Sequence, residues 1–223
     1  MKTIPLTSYN IYEFECDDEL TNKVLANIQQ QPIYWKQSSV DDSNSHGYLG
    51  SKDSPVPYYH SELFNWFDEC IKTISDIHFN GIKIAICDSW LTKSFLGQHG
   101  SRHNHSASLY SGLFYLTSHN SANTIFEYKD VTIKNLLGSS GDHFNLKTFS
   151  SIPKQNKLII FPSDLMHSVS INKDAMQNRY TIAFNTFYDG VISSQKTKLL
   201  DIKVNSVKDR YETYINNKNN ETM

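Results

Sequence analysis

At 223 residues, 39% hydrophobic and 13% aromatic, the chain is long enough for a real core and too rich in Tyr and Phe for intrinsic disorder. A net charge of −2 at pH 7 carries no overall cationic signal for nucleic acid or a membrane surface. No run approaches the ~20 apolar residues of a membrane span, the first residues lead into polar sequence rather than an apolar signal core, and Cys16, Cys70 and Cys87 form no CxxC pair, so free thiols in a cytoplasmic protein are expected.

Residues 9–16 alternate in character and read as an edge strand. Asp17-Asp18 then caps a helix in which Leu20, Val24, Leu25 and Ile28 recur at helical spacing. Residues 31–60, rich in Ser, Asp, Gly and Pro, read as a long loop. Ser61 opens a second helix, with an apolar stripe of Leu63, Phe64, Phe67, Ile71 and Ile74. From about residue 82 the period changes to two, and strands are expected at 82–86, 102–106, 110–117, 123–128, 157–161, 165–171 and 179–188. A polar insertion at 130–156 interrupts them, and it and the 31–60 loop are candidate lids. Residues 216–223 read as a frayed polar tail. Two helices followed by a run of strands predict an α+β, mainly β fold: a sandwich or barrel covered on one side. The chain reads as one domain over 1–223, with a strand and helices at 9–80, a core at about 82–190 and a C-terminal strand and tail at 191–223.

The chemistry concentrates in four residues. His103 and His105 are two apart, so in an extended strand both imidazoles point to one face. His167 shares a lane with Leu165, Val169 and Ile171, the inward lane of its segment. Arg179 shares a face with Thr181, Ala183 and Asn185, while Tyr180, Ile182 and Phe184 take the other. Small and polar residues opposite bulky apolar ones describe a pocket wall. Three imidazoles suit a first-row metal such as iron or zinc, and a fixed Arg in a pocket needs an anionic partner. His99 competes as a ligand, but Gly100 interrupts the strand there. His46, His60, His78, His119 and His143 lie in loops or at helix ends and read as ordinary structural histidines.

Several blocks together resemble the 2-oxoglutarate and Fe(II)-dependent oxygenases, and most closely a small group common in bacteriophage and marine bacterial genomes. They are Asp88-Ser89-Trp90-Leu91, Gln98 through His103-Asn104-His105, Tyr110-Ser111-Gly112-Leu113-Phe114-Tyr115-Leu116, Ile160-Phe161-Pro162-Ser163 with His167-Ser168-Val169, and Arg179-Tyr180-Thr181-Ile182-Ala183-Phe184-Asn185. The resemblance covers about residues 82–190. It implies a double-stranded β-helix (jelly roll, cupin-like) with two N-terminal helices packed on the major sheet. It further implies Fe(II) held by His103, His105 and His167, and 2-oxoglutarate as co-substrate, its far carboxylate paired with Arg179 and Tyr115. Trp90, Gln98 and Asn185 would line the site, Asn185 on the co-substrate side. Molecular oxygen would be the third reactant, and oxidative decarboxylation of 2-oxoglutarate to succinate would be coupled to hydroxylation of a small-molecule or macromolecular substrate.

One departure stands out. The wider superfamily generally carries His-x-Asp or His-x-Glu, and here His105 occupies the carboxylate position. Three arrangements follow: His105 is itself a ligand; the metal has two protein ligands and takes an exogenous one such as a halide; or Glu127, on the neighbouring strand, supplies the carboxylate. Two other functional classes stand beside the oxygenase. One is a three-His cupin-type enzyme or zinc hydrolase without 2-oxoglutarate, for which Arg179 has no task. The other is a non-catalytic jelly-roll binding module.

Overall fold

The computed structural model describes residues 1–6, 9–30, 35–37, 49–51, 60–80, 82–129, 146–193, 201–204 and 206. Strands β1 (Lys2–Leu6) and β2 (Tyr9–Glu15) form an antiparallel hairpin, followed by helix α1 (Asp18–Gln30). The expected cap is present. Asp17 Oδ1 accepts the N–H groups of Glu19 at 2.8 Å and Leu20 at 3.2 Å, satisfying donors that have no partner inside the helix. Short strands β3 (Trp35–Gln37) and β4 (Leu49–Ser51) precede helix α2 (Ser61–His78), which starts where the apolar stripe predicts.

The remaining strands are β5 (Ile84–Ser94), β6 (Gly100–His103), β7 (Tyr110–Tyr115), β8 (Thr124–Lys129), β9 (Leu146–Ser151), β10 (Lys157–Pro162), β11 (His167–Val169) and β12 (Arg179–Tyr188), with a hairpin of β13 (Gly190–Ser193) and β14 (Asp201–Val204) at the end. An eight-stranded antiparallel sheet runs β1-β2-β10-β7-β12-β5-β4-β3, and a four-stranded one runs β6-β11-β8-β9. From β5 to β12 the chain alternates between them, except that β8 and β9 are consecutive in the small sheet. β5, β7, β10 and β12 lie in the large sheet, and β6, β8, β9 and β11 in the small one. That is the double-stranded β-helix expected from the sequence.

Strand alternation sorts the side chains into two cores. On the outer face of the large sheet Phe114, Leu116, Leu158, Ile160, Ile182 and Phe184 pack against α1 and α2 through Val24, Ile28, Leu63, Phe67, Ile71 and Ile74. Phe67 is the hub, its ring 5.5 Å from Phe114 and 5.1 Å from Phe184. On the inner face Ile11, Tyr115, Ile159 and Phe161 meet Phe126 and Leu165. The polar residues discussed below line the rest of that inner space.

Several boundaries differ from the sequence reading. The 9–16 strand is not an edge: β1 pairs outside it and β10 on its other side. Pro5, which has no N–H to give a ladder, sits on the true edge strand. Residues 31–60 contain β3 and β4, which extend the large sheet beyond β5, and the 130–156 insertion contains β9. Their periodicity is too short or too polar to detect. The segments 38–48, 52–59 and 130–145, where the lids were expected, lie outside the described residues, as does the 216–223 tail. Cys16, Cys70 and Cys87 are free thiols, as expected. No described helix is long and apolar enough to cross a membrane.

Gly112, in the middle of β7, has a packing reason. A Cβ built there would fall inside the ring of Phe184, which is completely buried on the adjacent β12. Gly112→Ala should therefore cost about 3 kcal/mol by overpacking, although alanine ordinarily stabilises a strand relative to glycine. Denaturant unfolding of the two proteins measures this, and an unchanged midpoint would refute the packing account.

Candidate metal centre and anion pocket

The small sheet aligns two of the three candidate ligands. His167 on β11 is in register with His103 on β6 on one side and with Phe126 on β8 on the other, so all three side chains share the inner face. β6 ends at His103, two residues short of the expected alternation partner. His105 is held instead by its backbone N–H, which donates to the Ser163 carbonyl at 2.8 Å. That bond ties the His-Asn-His segment to the turn following Phe161-Pro162. The ring centroids lie 5.1 Å apart for His103 and His105, 4.3 Å for His103 and His167, and 5.0 Å for His105 and His167. One nitrogen from each falls within 4.8 Å of the others.

Two of these rings are oriented by their own strands. Nδ1 of His103 lies 2.8 Å from the Ser101 carbonyl, and Nδ1 of His167 lies 2.9 Å from the Leu165 carbonyl. A carbonyl only accepts, so Nδ1 carries the proton in both and the Nε2 lone pair is free. Such an outer hydrogen bond commonly orients a metal-ligating histidine. Burial, reinforced by the neighbouring His103, pulls the pKa of His105 down to about 4. Burial is likewise the main cause that pulls His167 down to about 3, with His103 and His105 adding to it. Both rings are thus neutral and able to donate electron pairs near neutral pH. The donor set fits a borderline first-row ion.

Glu127 does not join them. Cross-strand pairing puts its neighbour Phe126 on the inner face, so Glu127 points outward, where it accepts a hydrogen bond from Arg102 Nε at 2.8 Å. A one-residue step on a strand reverses the side chain, which overturns Glu127 as a source of the carboxylate. Around the cluster stand Phe161, its ring 4.9 Å from His167, and Trp90, its ring 5.8 Å from His105.

Arg179 opens β12 and is 3% exposed. Its guanidinium carbon sits 5.4 Å from the centroid of the Tyr115 ring. Nε and Nη2 have no hydrogen-bond partner among the described residues. Burial works against its charge and Tyr115 supports it, yet a guanidinium does not give up its proton in a protein. An uncompensated buried cation is costly, so this pocket is built for an anion. Burial raises the Tyr115 phenol, and Arg179 opposes that rise. The Tyr115 hydroxyl is already bonded to Thr124 Oγ1 at 2.7 Å, so the residue's evident part is to cradle the guanidinium.

The other expected residues separate. Asn185 lies six residues beyond Arg179 on β12, about 20 Å at the rise of a strand, too far for one small diacid to touch both. Its Oδ1 accepts from Ser111 Oγ at 2.7 Å, and Ser111 also bonds Ser163 Oγ at 2.8 Å. Ser111 is in register with Phe161, which places Asn185 at the metal end of the pocket rather than the arginine end. Gln98 Oε1 accepts the Phe95 N–H at 2.8 Å and closes the turn after β5. His119, read as ordinary, is buried, bonded to Thr117 Oγ1 and 3.6 Å from Asp174. A separate groove of about 670 Å³ contains none of the three histidines and is lined by Arg102, Asn123, Ser168, Ser170 and Lys173 among others. Sequence reading missed Ser94, Ser111 and Ser163. Ser111 and Ser163 stand in the blocks that carry the resemblance, and the signal of Ser94 is parity with Trp90, which becomes informative once the pairing of strands is known.

Residues 88–185 match the family described as "Putative 2OG-Fe(II) oxygenase". A comparison with curated proteins finds no match. Among solved structures the fold is similar to the non-heme alpha ketoglutarate-dependent epimerase SnoN from nogalamycin biosynthesis, with a TM-score of 0.67 and 7% identity over 89% of this chain and 91% of that one. It is similar also to a Pseudomonas putida prolyl-4-hydroxylase, with a TM-score of 0.56 and 11% identity over 78% and 91%. A third is the Trichoplax adhaerens prolyl hydroxylase solved with a hypoxia inducible factor peptide fragment, with a TM-score of 0.56 and 15% identity over 81% and 83%. At these identities the structural likeness establishes the fold. The matched span begins on β5, runs through both strands that present His103 and His167, and ends on β12 beyond Arg179, so the part of the chain that carries the candidate site is similar to that family.

Proposed function

We propose that this protein is a dioxygenase that hydroxylates its substrate at an iron centre held by His103, His105 and His167, with 2-oxoglutarate anchored by Arg179. The observation that carries the reading is the buried guanidinium with two N–H groups unpaired among the described residues, on the inner face of the large sheet, while the small sheet carries His103 and His167. A three-His enzyme without a dicarboxylate co-substrate has no use for it. When bound, iron and 2-oxoglutarate supply the oxidative decarboxylation that yields succinate and drives oxidation of a substrate C–H bond.

The chain's own part is orientation and exclusion of water. The carbonyls of Ser101 and Leu165 hold two imidazoles in the tautomer that presents Nε2. His103, His105 and His167 would bring no negative charge to the metal; the carboxylate of 2-oxoglutarate not paired with Arg179 would offset one unit of it. Phe126 and Phe161, both buried and packed against the His167 ring, keep water from that side of the cluster. Trp90 and Asn185, both partly exposed, take the substrate side.

Anaerobic titration of the metal-free protein with Fe(II) and 2-oxoglutarate, followed by visible absorption, should give a weak charge-transfer band that needs both additions. Arg179→Ala should weaken 2-oxoglutarate by about 100-fold or more, the scale of losing one partner of a buried ion pair. No band in the wild type would sink the oxygenase reading. His105→Ala should lose most of the thermal stabilisation that added metal confers, whereas Glu127→Gln should keep it. The opposite result would exchange the two residues' roles.

The depressed histidines also set a pH dependence. In the unfolded chain they protonate near 6.5, while in the fold His105 stays neutral down to about 4 and His167 to about 3. Below pH 6.5 the unfolded state binds more protons, so the metal-free protein loses stability as pH falls from about 6.5 to 4. Thermal melts with chelator present should show this slope, and His167→Asn should make it shallower. Identical slopes in the two proteins would contradict a neutral buried imidazole at 167.

A further inference from the structure

Ser94 is the last residue of β5 and stands in register with Arg179 on β12, so the two side chains are neighbours on the inner face. It is 3% exposed, and its Oγ has no hydrogen-bond partner among the described residues. The hydroxyls around it are taken. Thr92 and Thr181 bond each other, and Tyr115 bonds Thr124. The Ser94 backbone is held independently, its carbonyl accepting from Nδ2 of the fully buried Asn172 at 3.0 Å. A buried hydroxyl with no partner carries a desolvation cost that the free protein does not recover. Here it lies beside a buried cation in the same condition.

We infer that Ser94 is a further binding residue of the co-substrate pocket, its hydroxyl donating to the same carboxylate that Arg179 pairs with. The inference rests on the reading of Arg179 as the 2-oxoglutarate anchor. Arg179 offers two N–H donors from Nε and Nη2, and Ser94 adds a third from the neighbouring strand. A carboxylate has enough lone pairs to accept all three. The arrangement selects a 2-oxo acid with a second carboxylate at its far end over one ending in a methyl group. Discrimination of this kind is strong because the buried donors are left unpaired by the wrong acid. Ser94 differs from Thr92 and Thr181 in that its hydroxyl has no partner among the described residues, whereas theirs bond each other.

The test compares wild type with Ser94→Ala, each loaded anaerobically with Fe(II) and titrated with 2-oxoglutarate or with 2-oxopentanoate, the same chain ending in a methyl group. Dissociation constants are read from the visible band. Ser94→Ala should weaken 2-oxoglutarate by about tenfold or more, the scale of a hydrogen bond to a charged group, and leave 2-oxopentanoate unchanged. Without metal or co-substrate, the variant should melt at or above the wild-type temperature, because it loses only an unpaired group. Equal affinity of both proteins for 2-oxoglutarate would overturn the role of Ser94 while leaving the oxygenase reading in place. Equal weakening of both acids would also overturn it, since the residue would then act through the fold. A wild type that shows no band with 2-oxoglutarate would overturn the inference together with the reading beneath it.

Discussion

A guanidinium sealed between two sheets with part of its donor set unpaired is the constraint around which the inner half of this molecule is arranged. The outer core, where Phe67 joins α2 to Phe114 and Phe184, is ordinary apolar packing and supplies the stability. The inner space gives some of that stability up. It buries Arg179, Ser94, Thr92, Thr181 and His167 where hydrocarbon would pack without penalty. Polar burial on this scale, with named donors left open, makes sense when a ligand completes it.

The two sheets divide the task. The small sheet presents two of the candidate metal ligands, with His103 and His167 locked in register and each ring steered by a carbonyl two residues earlier in the chain. The large sheet presents the anion pocket, on β12 and β5, with Tyr115 of β7 under the guanidinium. Placing the two half-sites on different sheets lets the jelly roll fix the gap between them through its packed core rather than through loops. His105 is the exception, lying past the end of β6 and anchored by a single backbone bond to the Ser163 carbonyl.

Replacing the usual carboxylate by His105 changes the electrostatics more than the geometry. An Asp or Glu at that position would offset part of the charge of a bound metal, whereas a neutral imidazole would not. Burial keeps His105 and His167 neutral, so the cluster tolerates three close imidazoles without mutual repulsion. The outward-facing Glu127, engaged by Arg102, takes no part in this balance.

Sequence alone determined the two helical stripes, most of the strands of the β5–β12 core, the inward lane of His167 and the polar face of β12, because each is a local periodicity that the backbone repeat imposes. The blocks around Gly112, Pro162 and Arg179 also carried the family resemblance. Only the tertiary structure set His105 beside His103 and His167 while turning Glu127 outward to Arg102, since strand parity alone left both as candidates. It also moved Asn185 away from Arg179, though both share a face, because a shared face says nothing about distance along a strand. Ser94 became legible only through the pairing of β5 with β12. Which strands lie side by side depends on non-local packing of the two sheets, and no pattern within a single strand encodes it.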